Sequence, residues 1–297
     1  MSATLTQSKV QIWLLASRPK TLPAALVPVL VGGALAYGDR LFAAGPFLAA
    51  VLGALLIQIG TNFANDYFDF VKGADTEERM GPTRVTQSGL VTPRQTLIAT
   101  AVAFALATLV GLYLVLVGGW PIVAIGVLSI LSGLAYTGGP FPLGYNGLGE
   151  LFVMIFFGFV AVLGTYFVQA HAVTPLAWWV AVPVGLLSSA ILVVNNYRDI
   201  QTDRKAGKRT LAARFGERFA KVEYGVFVFG AYLVPLALVG LGKLSWFALL
   251  PLLTLPLAAK LMRSMLTESG PVLNKTLAGT GKLLLFFGVL LSIGLVR

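Results

Sequence analysis

Residues 58–76 read QIGTNFANDYFDFVKGADT and carry an apolar segment into a run of carboxylates. The apolar segment is long enough to cross a bilayer, which takes about 20 residues. If its helix continues into this stretch, Asn62, Asp66 and Asp69 follow at i, i+4 and i+7, and Asn65 precedes Asp69 by four residues. Such spacing puts all four side chains on one helical face. The stretch therefore predicts a membrane helix that presents two carboxylates and two amides at its end.

A second stretch repeats this arrangement. Residues 195–216 read NNYRDIQTDRKAGKRTLAARFG. Asn195, Asp199 and Asp203 stand at i, i+4 and i+8, and Asn196 lies three residues before Asp199. These side chains again share one helical face. The repetition suggests two similar walls, each with amides and acids, that face each other.

The composition is that of a membrane protein. The chain has 297 residues, of which 57% are hydrophobic and only 11% are charged, whereas a soluble domain carries about 25% charged residues. Nine apolar segments predict an all-α polytopic membrane protein, formed by a single domain over residues 1–297 with a short interfacial helix at 8–17. The segments cover residues 20–38, 45–65, 95–117, 120–137, 148–169, 175–197, 221–241, 245–262 and 280–296.

The basic residues set the predicted orientation. Nine spans put 19 of the 22 Lys and Arg residues on one side, and cytoplasmic loops are rich in these residues. We therefore expect a cytoplasmic N-terminus, a multi-pass location in the cell (inner or plasma) membrane and both acid clusters near the cytoplasmic face. The net charge of +10 then reflects these loops and the lipid bilayer, and no nucleic-acid partner is expected.

The residue inventory limits the chemistry. The chain has no cysteine and one histidine, which excludes disulfides, thiolate metal sites and His-rich zinc sites. A metal here would need oxygen ligands, which favours Mg²⁺. Mg²⁺ can join carboxylates to a diphosphate, because it takes a few protein oxygens and keeps other positions for phosphate oxygens.

The acids and bases of the two stretches fit such a metal–diphosphate site. The predicted catalytic and metal-binding residues are Asp66, Asp69, Asp199 and Asp203. The predicted substrate-binding residues beside them are Asn62, Asn65, Lys72, Asp75, Arg84, Asn195, Asn196, Lys205, Lys208 and Arg209. The bases would neutralise phosphate charge.

A third loop is rich in glycine and proline. Residues 136–150 read YTGGPFPLGYNGLGE and contain Tyr136, Tyr145 and Glu150. One interpretation is a tight turn between two spans. The other is a wall or lid for an aromatic substrate, with these three residues lining it. The sequence leaves both open.

At these residues the sequence resembles the UbiA superfamily of membrane-embedded aromatic prenyltransferases, and especially its dihydroxynaphthoate polyprenyltransferase branch. The matching strings occur in family order over most of the chain. They are SRPKTLPAALVPVLVG (17–32), QIGTNFANDYFDFVKGADT (58–76), RVTQSGLVTP (84–93), GLGELFV (147–153) and NNYRDIQTDRKAGKRTLAARFG (195–216).

The resemblance implies nine transmembrane helices around a central cavity that opens sideways to lipid. It also implies that both Asp-rich motifs bind Mg²⁺ and a prenyl diphosphate, through Asn65, Asp66, Asp69, Asp199 and Asp203. One position departs from the broader family pattern, which has an acid where this chain has Gly73; the nearby acid is Asp75.

The implied reaction is transfer of a polyprenyl chain from an allylic polyprenyl diphosphate to 1,4-dihydroxy-2-naphthoate. Carbon dioxide and pyrophosphate are lost, and demethylmenaquinol, a precursor of menaquinone, is formed. One alternative keeps the fold and prenylates another aromatic acceptor, such as 4-hydroxybenzoate or homogentisate. The other is a cation-coupled transporter, whose acids would lie near the bilayer midplane on broken helices.

Overall fold

The computed structural model describes residues 8–74 and 80–296, and every regular element within these ranges is helical. The prediction for Asp75 lies outside the described residues. The helices are α1 (Lys9–Ser17), α2 (Pro23–Gly38), α3 (Ala44–Val71), α4 (Pro93–Gly118), α5 (Trp120–Ala135), α6 (Gly149–Ala170), α7 (Pro175–Arg198), α8 (Ile200–Lys205), α9 (Leu211–Gly240), α10 (Trp246–Thr267) and α11 (Leu273–Val296).

Seven of the described helices are long and apolar enough to cross a membrane, namely α3, α4, α6, α7, α9, α10 and α11. The first predicted segment, 20–38, corresponds to α2, and the interfacial helix predicted at 8–17 corresponds to α1. The helical stretches Lys9–Thr21 and Pro23–Gly38 meet at a bend of 55°. The segment predicted at 120–137 is α5, a shorter apolar helix. Every predicted apolar segment is thus helical, and the fold is that of a multi-pass membrane protein.

Local sequence signals explain where several helices begin. Thr92 caps α4, because its hydroxyl accepts a hydrogen bond from the Gln95 N–H while the Thr92 N–H donates to the Gln95 side-chain oxygen. Thr174 caps α7 through one such bond, in which its hydroxyl accepts from the Ala177 N–H. Proline follows each of these caps, at a position where its missing N–H costs no helical bond.

Helix α7 is the centre of the bundle. In its most apolar window 72% of the residues are buried inside the protein, against 22% for α4. It packs against α2, α6, α9 and α11, whereas α3 packs mainly against α4 and to a smaller extent against α2 and α5. Many large apolar side chains of α4 and α5 are exposed at the surface, which suits a surface covered by lipid.

Helix α3 continues beyond the predicted segment 45–65 to Val71, so both acids of the first stretch lie on this helix, as their spacing predicts. The region between the predicted segments 175–197 and 221–241 is also mostly helical, with α8 followed by the start of α9. Gly216 divides that start from the rest of α9 with a positive φ of 85°, a conformation that glycine adopts readily.

Helices α6 and α7 approach each other through glycine. The first part of α6 contains a π-helical stretch, Met154–Val160. A Cβ added at Gly158 of this stretch would lie 2.8 Å from the Gly185 Cα of α7 and 3.4 Å from the Ala181 carbonyl oxygen. Because those atoms belong to the backbone of α7, the two helices would have to move apart.

We expect Gly158→Ala to lower the thermal unfolding midpoint in detergent, because overpacking of this kind costs about 1–3 kcal/mol. Gly126→Ala is the matched control, since a Cβ there meets no atom within 4 Å and both substitutions gain the same helix propensity. Equal midpoints for the two variants would show that the glycine contact does not set the helix distance.

Candidate active site

A cavity of ≈ 570 Å³ runs through the middle of the helix bundle. Asp69 and Ala50 both line it, and 19 residues of α3 separate them. At 1.5 Å per residue the cavity therefore extends over about 28 Å of this helix, close to the thickness of the hydrocarbon core. Its volume lies within the usual range of small-molecule sites, about 300–1,000 Å³.

The two ends of this cavity have different chemistry. Charged and amide side chains line the end at the C-terminus of α3, and apolar side chains such as Val115, Ile122 and Val168 line the opposite end. Ten of the predicted site residues meet at the polar end. They are Asn62, Asn65, Asp69, Arg84, Tyr136, Asn195, Asn196, Asp199, Asp203 and Lys208.

Asp69 is the carboxylate with the most partners at this end. Its side chain is 2% exposed. The Arg84 Nη2 donates to its Oδ2 at 2.6 Å, and the Tyr145 hydroxyl donates to its Oδ1 at 2.5 Å. The Lys208 Nζ lies 3.6 Å from the same Oδ1. Arg84, Tyr145 and Lys208 come from three different loops, and the buried charge of Asp69 therefore holds these loops together.

Lys208 connects the two Asp-rich stretches. Its Nζ lies 3.6 Å from the Asp69 Oδ1 and 3.9 Å from the Asp203 Oδ1. It also lies 4.5 Å from the centre of the Tyr145 ring, within the range of a cation–π interaction. A positive charge therefore already lies between a carboxylate of α3 and a carboxylate of α8.

Asp199 is compensated differently, by its own neighbour in the chain. Arg198 donates to both of its carboxylate oxygens, at 2.8 Å from Nε and 2.5 Å from Nη2. Arg198 is 2% exposed and also donates to the Asn195 Oδ1 and, on α11, to the Asn274 Oδ1. Arg198 and Asp199 therefore form a bidentate ion pair, and both charges are compensated inside the fold.

Asp66 does not line the cavity with the other three acids. It is 2% exposed, and its two oxygens accept hydrogen bonds from the backbone N–H groups of Val85 and Thr86, at 3.1 and 3.2 Å. The structure therefore directs this carboxylate toward the loop before α4.

Three predicted substrate-binding cations also lie off the cavity. The Lys72 Nζ donates to the Thr137 and Gly139 carbonyl oxygens, at 2.7 and 3.0 Å, and so fastens the loop after α5 to the end of α3. Lys205 and Arg209 are exposed and do not line the cavity. None of the three lines the cavity, although the Lys72 Nζ lies 5.3 Å from the centre of the Tyr145 ring at its polar end.

The loop at 136–150 combines both of its predicted roles. It turns tightly, with positive φ at Gly139 and Gly147, and it places the rings of Tyr136 and Tyr145 on the cavity wall. Burial, reinforced by the charge of Glu150, raises the pKa of Tyr136 above its ordinary value. Its hydroxyl therefore stays protonated at neutral pH and can donate a hydrogen bond into the cavity.

Glu150 lies behind this wall and is 4% exposed. The Asn196 Nδ2 donates to its Oε1 at 2.7 Å. Because that bond uses the NH₂ end of the Asn196 amide, the amide oxygen is left for the cavity, which Asn196 lines. Glu150 therefore affects the cavity indirectly, because it orients the Asn196 amide.

The two amides of α3 also have internal partners. The Asn62 Nδ2 donates to the Ser17 carbonyl oxygen at 3.0 Å, and the Asn65 Oδ1 accepts from the Thr137 hydroxyl at 2.8 Å. The first of these bonds fixes the joint between α1 and α2, where Arg18 has a positive φ of 53° and lines the cavity.

Arg18 and Arg198 belong to the site, but neither is among the site residues predicted from the sequence. For Arg18 the signal is its place in the string SRPKTLPAALVPVLVG (17–32), one of the strings that match the family. For Arg198 the signal is its place directly before Asp199.

The polar end fits a divalent cation in a particular way. Among residues 8–74 and 80–296, no three His, Cys, Asp or Glu side chains come close enough together to hold a metal ion. Mg²⁺, however, is usually held by one or two carboxylates together with substrate phosphates and water. Asp69 and Asp203 share one cation, Lys208, in this structure, and they supply the oxygen ligands that Mg²⁺ prefers.

The sequence of this chain is similar to known proteins over nearly its whole length. Residues 25–293 match the UbiA prenyltransferase family. The 1,4-dihydroxy-2-naphthoate octaprenyltransferase of Escherichia coli (strain K12) is 40% identical over 299 residues, which cover 96% of this chain and 97% of that protein. The enzyme of the same name from Bacillus subtilis (strain 168) is 33% identical, with coverage of 99% and 95%.

Two solved structures share the fold at low sequence identity. The apo structure of a UbiA homologue from Aeropyrum pernix K1 has a TM-score of 0.69 at 17% identity, over 91% of this chain and 95% of that one. A UbiA homologue from Archaeoglobus fulgidus bound to GPP and Mg²⁺ has a TM-score of 0.63 at 13% identity, over 95% and 100%.

The buried ion pair of Arg198 predicts a stability effect. We expect Asp199→Asn to lower the unfolding midpoint strongly, because it leaves the buried Arg198 charge without a charged partner, a loss of about 3–5 kcal/mol. The control is Glu217→Gln, which breaks an exposed pair with Lys221 worth about 0–1 kcal/mol. Thermal unfolding in detergent measures both, and similar midpoints would contradict the assignment.

Proposed function

The chain belongs to the UbiA prenyltransferase family, and from this premise we infer that it transfers a polyprenyl chain from an allylic polyprenyl diphosphate to 1,4-dihydroxy-2-naphthoate. Pyrophosphate and carbon dioxide are released, and demethylmenaquinol is formed for menaquinone biosynthesis. The supporting observation is the similarity to dihydroxynaphthoate octaprenyltransferases over almost the full length of both chains. The cavity, which is charged at one end and apolar along the rest, suits a donor with a diphosphate head and an isoprenoid tail.

The diphosphate is proposed to bind at the polar end. Asp69 and Asp203 face each other across Lys208 and would hold Mg²⁺ between them. Mg²⁺ supplies neutralisation of the diphosphate charge, which makes pyrophosphate a better leaving group. Arg84 and Lys208 add positive charge that can shift from the carboxylates to phosphate oxygens once the cation is bound.

The remaining predicted ligands take supporting parts in this proposal. Asp199 shapes the same end of the cavity through its ion pair with Arg198. Asn65 lies four residues before Asp69 on α3, Asn195 accepts a hydrogen bond from Arg198, and both amides line the cavity. Tyr145 holds Asp69 by a hydrogen bond and so keeps the loop at 136–150 against the site.

The acceptor ring is proposed to lie deeper than the diphosphate. It must attack the allylic carbon from the side opposite to the departing oxygen, which is the side toward the apolar part of the cavity. Tyr136 and Asn196 line the polar end next to that apolar part and would offer a hydroxyl donor and an amide acceptor for the ring hydroxyls. The apolar helices around the allylic carbon exclude water, which would otherwise compete with the ring.

The polar end is proposed to face the cytoplasm. With nine crossings, counting α1 with α2 as one bent crossing and α5 as a short one, most Lys and Arg residues fall on the side of the Asp-rich stretches. That distribution is the one expected of cytoplasmic loops. In the same topology the protein lies in the cell membrane with its N-terminus inside.

We expect Asp69→Asn and Asp203→Asn each to reduce Mg²⁺-dependent product formation at least about 100-fold, because each removes a charged ligand from the metal–diphosphate site. The assay incubates purified protein with dihydroxynaphthoate, Mg²⁺ and a polyprenyl diphosphate and detects the product by mass. Glu217→Gln, an exposed acid on α9, controls for the loss of a negative charge. Turnover at the wild-type rate in either site variant would contradict the proposed site.

The same assay separates the alternatives. A panel with 4-hydroxybenzoate and homogentisate tests whether another acceptor is preferred. Pyrophosphate and carbon dioxide release that depends on dihydroxynaphthoate supports the transferase. Uptake of a solute into liposomes without either product would instead support a cation-coupled transporter.

The apolar part of the cavity predicts an effect on donor length. Gly126 lines the cavity, has open space where a side chain would begin and lies ten residues, about 15 Å, from Tyr136 along α5. We expect Gly126→Leu to reduce kcat/KM for an octaprenyl donor while sparing a geranyl donor, whose tail ends before this level. Gly240→Leu, outside the cavity and also with open space, is the control. An equal effect on both donors would contradict this path for the tail.

A further inference from the structure

We propose that Asp66 is a positioning residue, which holds the loop of Arg84 over the polar end of the cavity and binds neither metal nor substrate itself. The proposal rests on the proposed function in one respect, because its kinetic test uses the prenyl donor. It assigns the two acids of the first stretch, three residues apart on α3, to different tasks.

The hydrogen bonds of Asp66 are fully internal. Its Oδ2 accepts from the Val85 N–H at 3.1 Å and its Oδ1 from the Thr86 N–H at 3.2 Å. Asp66 is 2% exposed, and Val85 is fully buried. A carboxylate is well suited to this task, because both of its oxygens accept and neither donates.

The loop that Asp66 holds is itself well packed. Val85 lies in a small apolar cluster with Ala16, Phe63 and Val91, which joins the loop to α1 and α3. The Thr86 hydroxyl contacts the Thr96 hydroxyl at 2.9 Å. The backbone on the C-terminal side of Arg84 is therefore fixed in position.

Fixing that backbone determines where Arg84 points. Arg84 directly precedes Val85, and its Nη2 donates to the Asp69 Oδ2 at 2.6 Å. The end of α3 thus holds the loop at two points. Asp66 accepts hydrogen bonds from backbone N–H groups of the loop, and Asp69 accepts one from the Arg84 side chain. Without the first contact, the loop is free to carry the guanidinium away from Asp69 and from the phosphate that binds beside it.

The direct test is a double-mutant cycle between Asp66→Asn and Arg84→Ala. An asparagine keeps the shape but turns an NH₂ group toward a backbone N–H, so the loop loses one anchor. Each single variant should raise the KM for the prenyl diphosphate about tenfold, comparable to the loss of one charge-assisted hydrogen bond. The double variant should be no worse than Arg84→Ala, because both changes remove the same contact, whereas independent effects add.

Two further readouts separate positioning from metal binding and from a general folding defect. The affinity of the protein for Mn²⁺, measured by titration without donor, should stay within about twofold of wild type in Asp66→Asn and fall in Asp69→Asn, since only Asp69 is a proposed ligand. Amide hydrogen exchange over residues 80–92 should increase in Asp66→Asn and remain low in Asp69→Asn.

Additive KM effects in the double variant, or loss of Mn²⁺ binding in Asp66→Asn, would overturn the proposal. If Asp66→Asn does not fold, Asp66→Glu replaces it, because the longer side chain keeps the charge but displaces the oxygens; unchanged hydrogen exchange at 80–92 together with an unchanged KM in that variant would also overturn the proposal. Wild-type turnover is measured first. Its absence would count against the proposed function, while the hydrogen exchange of the loop still tests the anchor.

Discussion

The charge of Asp69 has to be compensated at the end of a helix that is otherwise embedded in apolar surroundings. A buried carboxylate is costly unless it is paired and hydrogen-bonded. In this fold the partners come from three separate loops, through Arg84, Tyr145 and Lys208. The compensation of one charge therefore brings together the segments that form the polar end of the cavity, and it links the N-terminal half of the chain to the stretch around Asp203.

We propose two different roles for the four acids of the site. Asp66 and Asp199 have their oxygens occupied inside the fold, by two backbone N–H groups and by Arg198 respectively. Asp69 also accepts hydrogen bonds from Arg84 and Tyr145, but it differs from the first pair because it shares the side chain of one lysine, Lys208, with Asp203. A lysine ammonium is a flexible point charge, so it can move toward a phosphate when a divalent cation enters. Asp66 and Asp199 thus stabilise the polar end of the cavity, and Asp69 and Asp203 are suited to bind a ligand.

The apolar segments were sufficient to predict the helices. Helical spacing was sufficient to predict that Asn62, Asn65, Asp69 and the residues around Asp203 contribute to one site. It could not separate Asp66 from Asp69. The two lie about 60° apart around the helix at 3.6 residues per turn, which is close enough to share a face by pattern and far enough to contact different neighbours. The spacing placed Arg198 beside Asn195 and Asp199, but it could not predict its third partner, Asn274, which is 76 residues away. Contacts of that kind arise from the packing of α7 against α11 and leave no local pattern.

We propose that Asp69 and Asp203 together hold one metal ion against the diphosphate of the donor. Pulsed electron paramagnetic resonance of Mn²⁺ bound to the protein tests this metal site, with a thio-substituted, unreactive prenyl diphosphate as ligand. We expect a phosphorus-31 coupling to Mn²⁺ in the wild type that disappears in Asp69→Asn and in Asp203→Asn. A coupling that persists in both variants, or Mn²⁺ bound without any phosphorus coupling in the wild type, would contradict it.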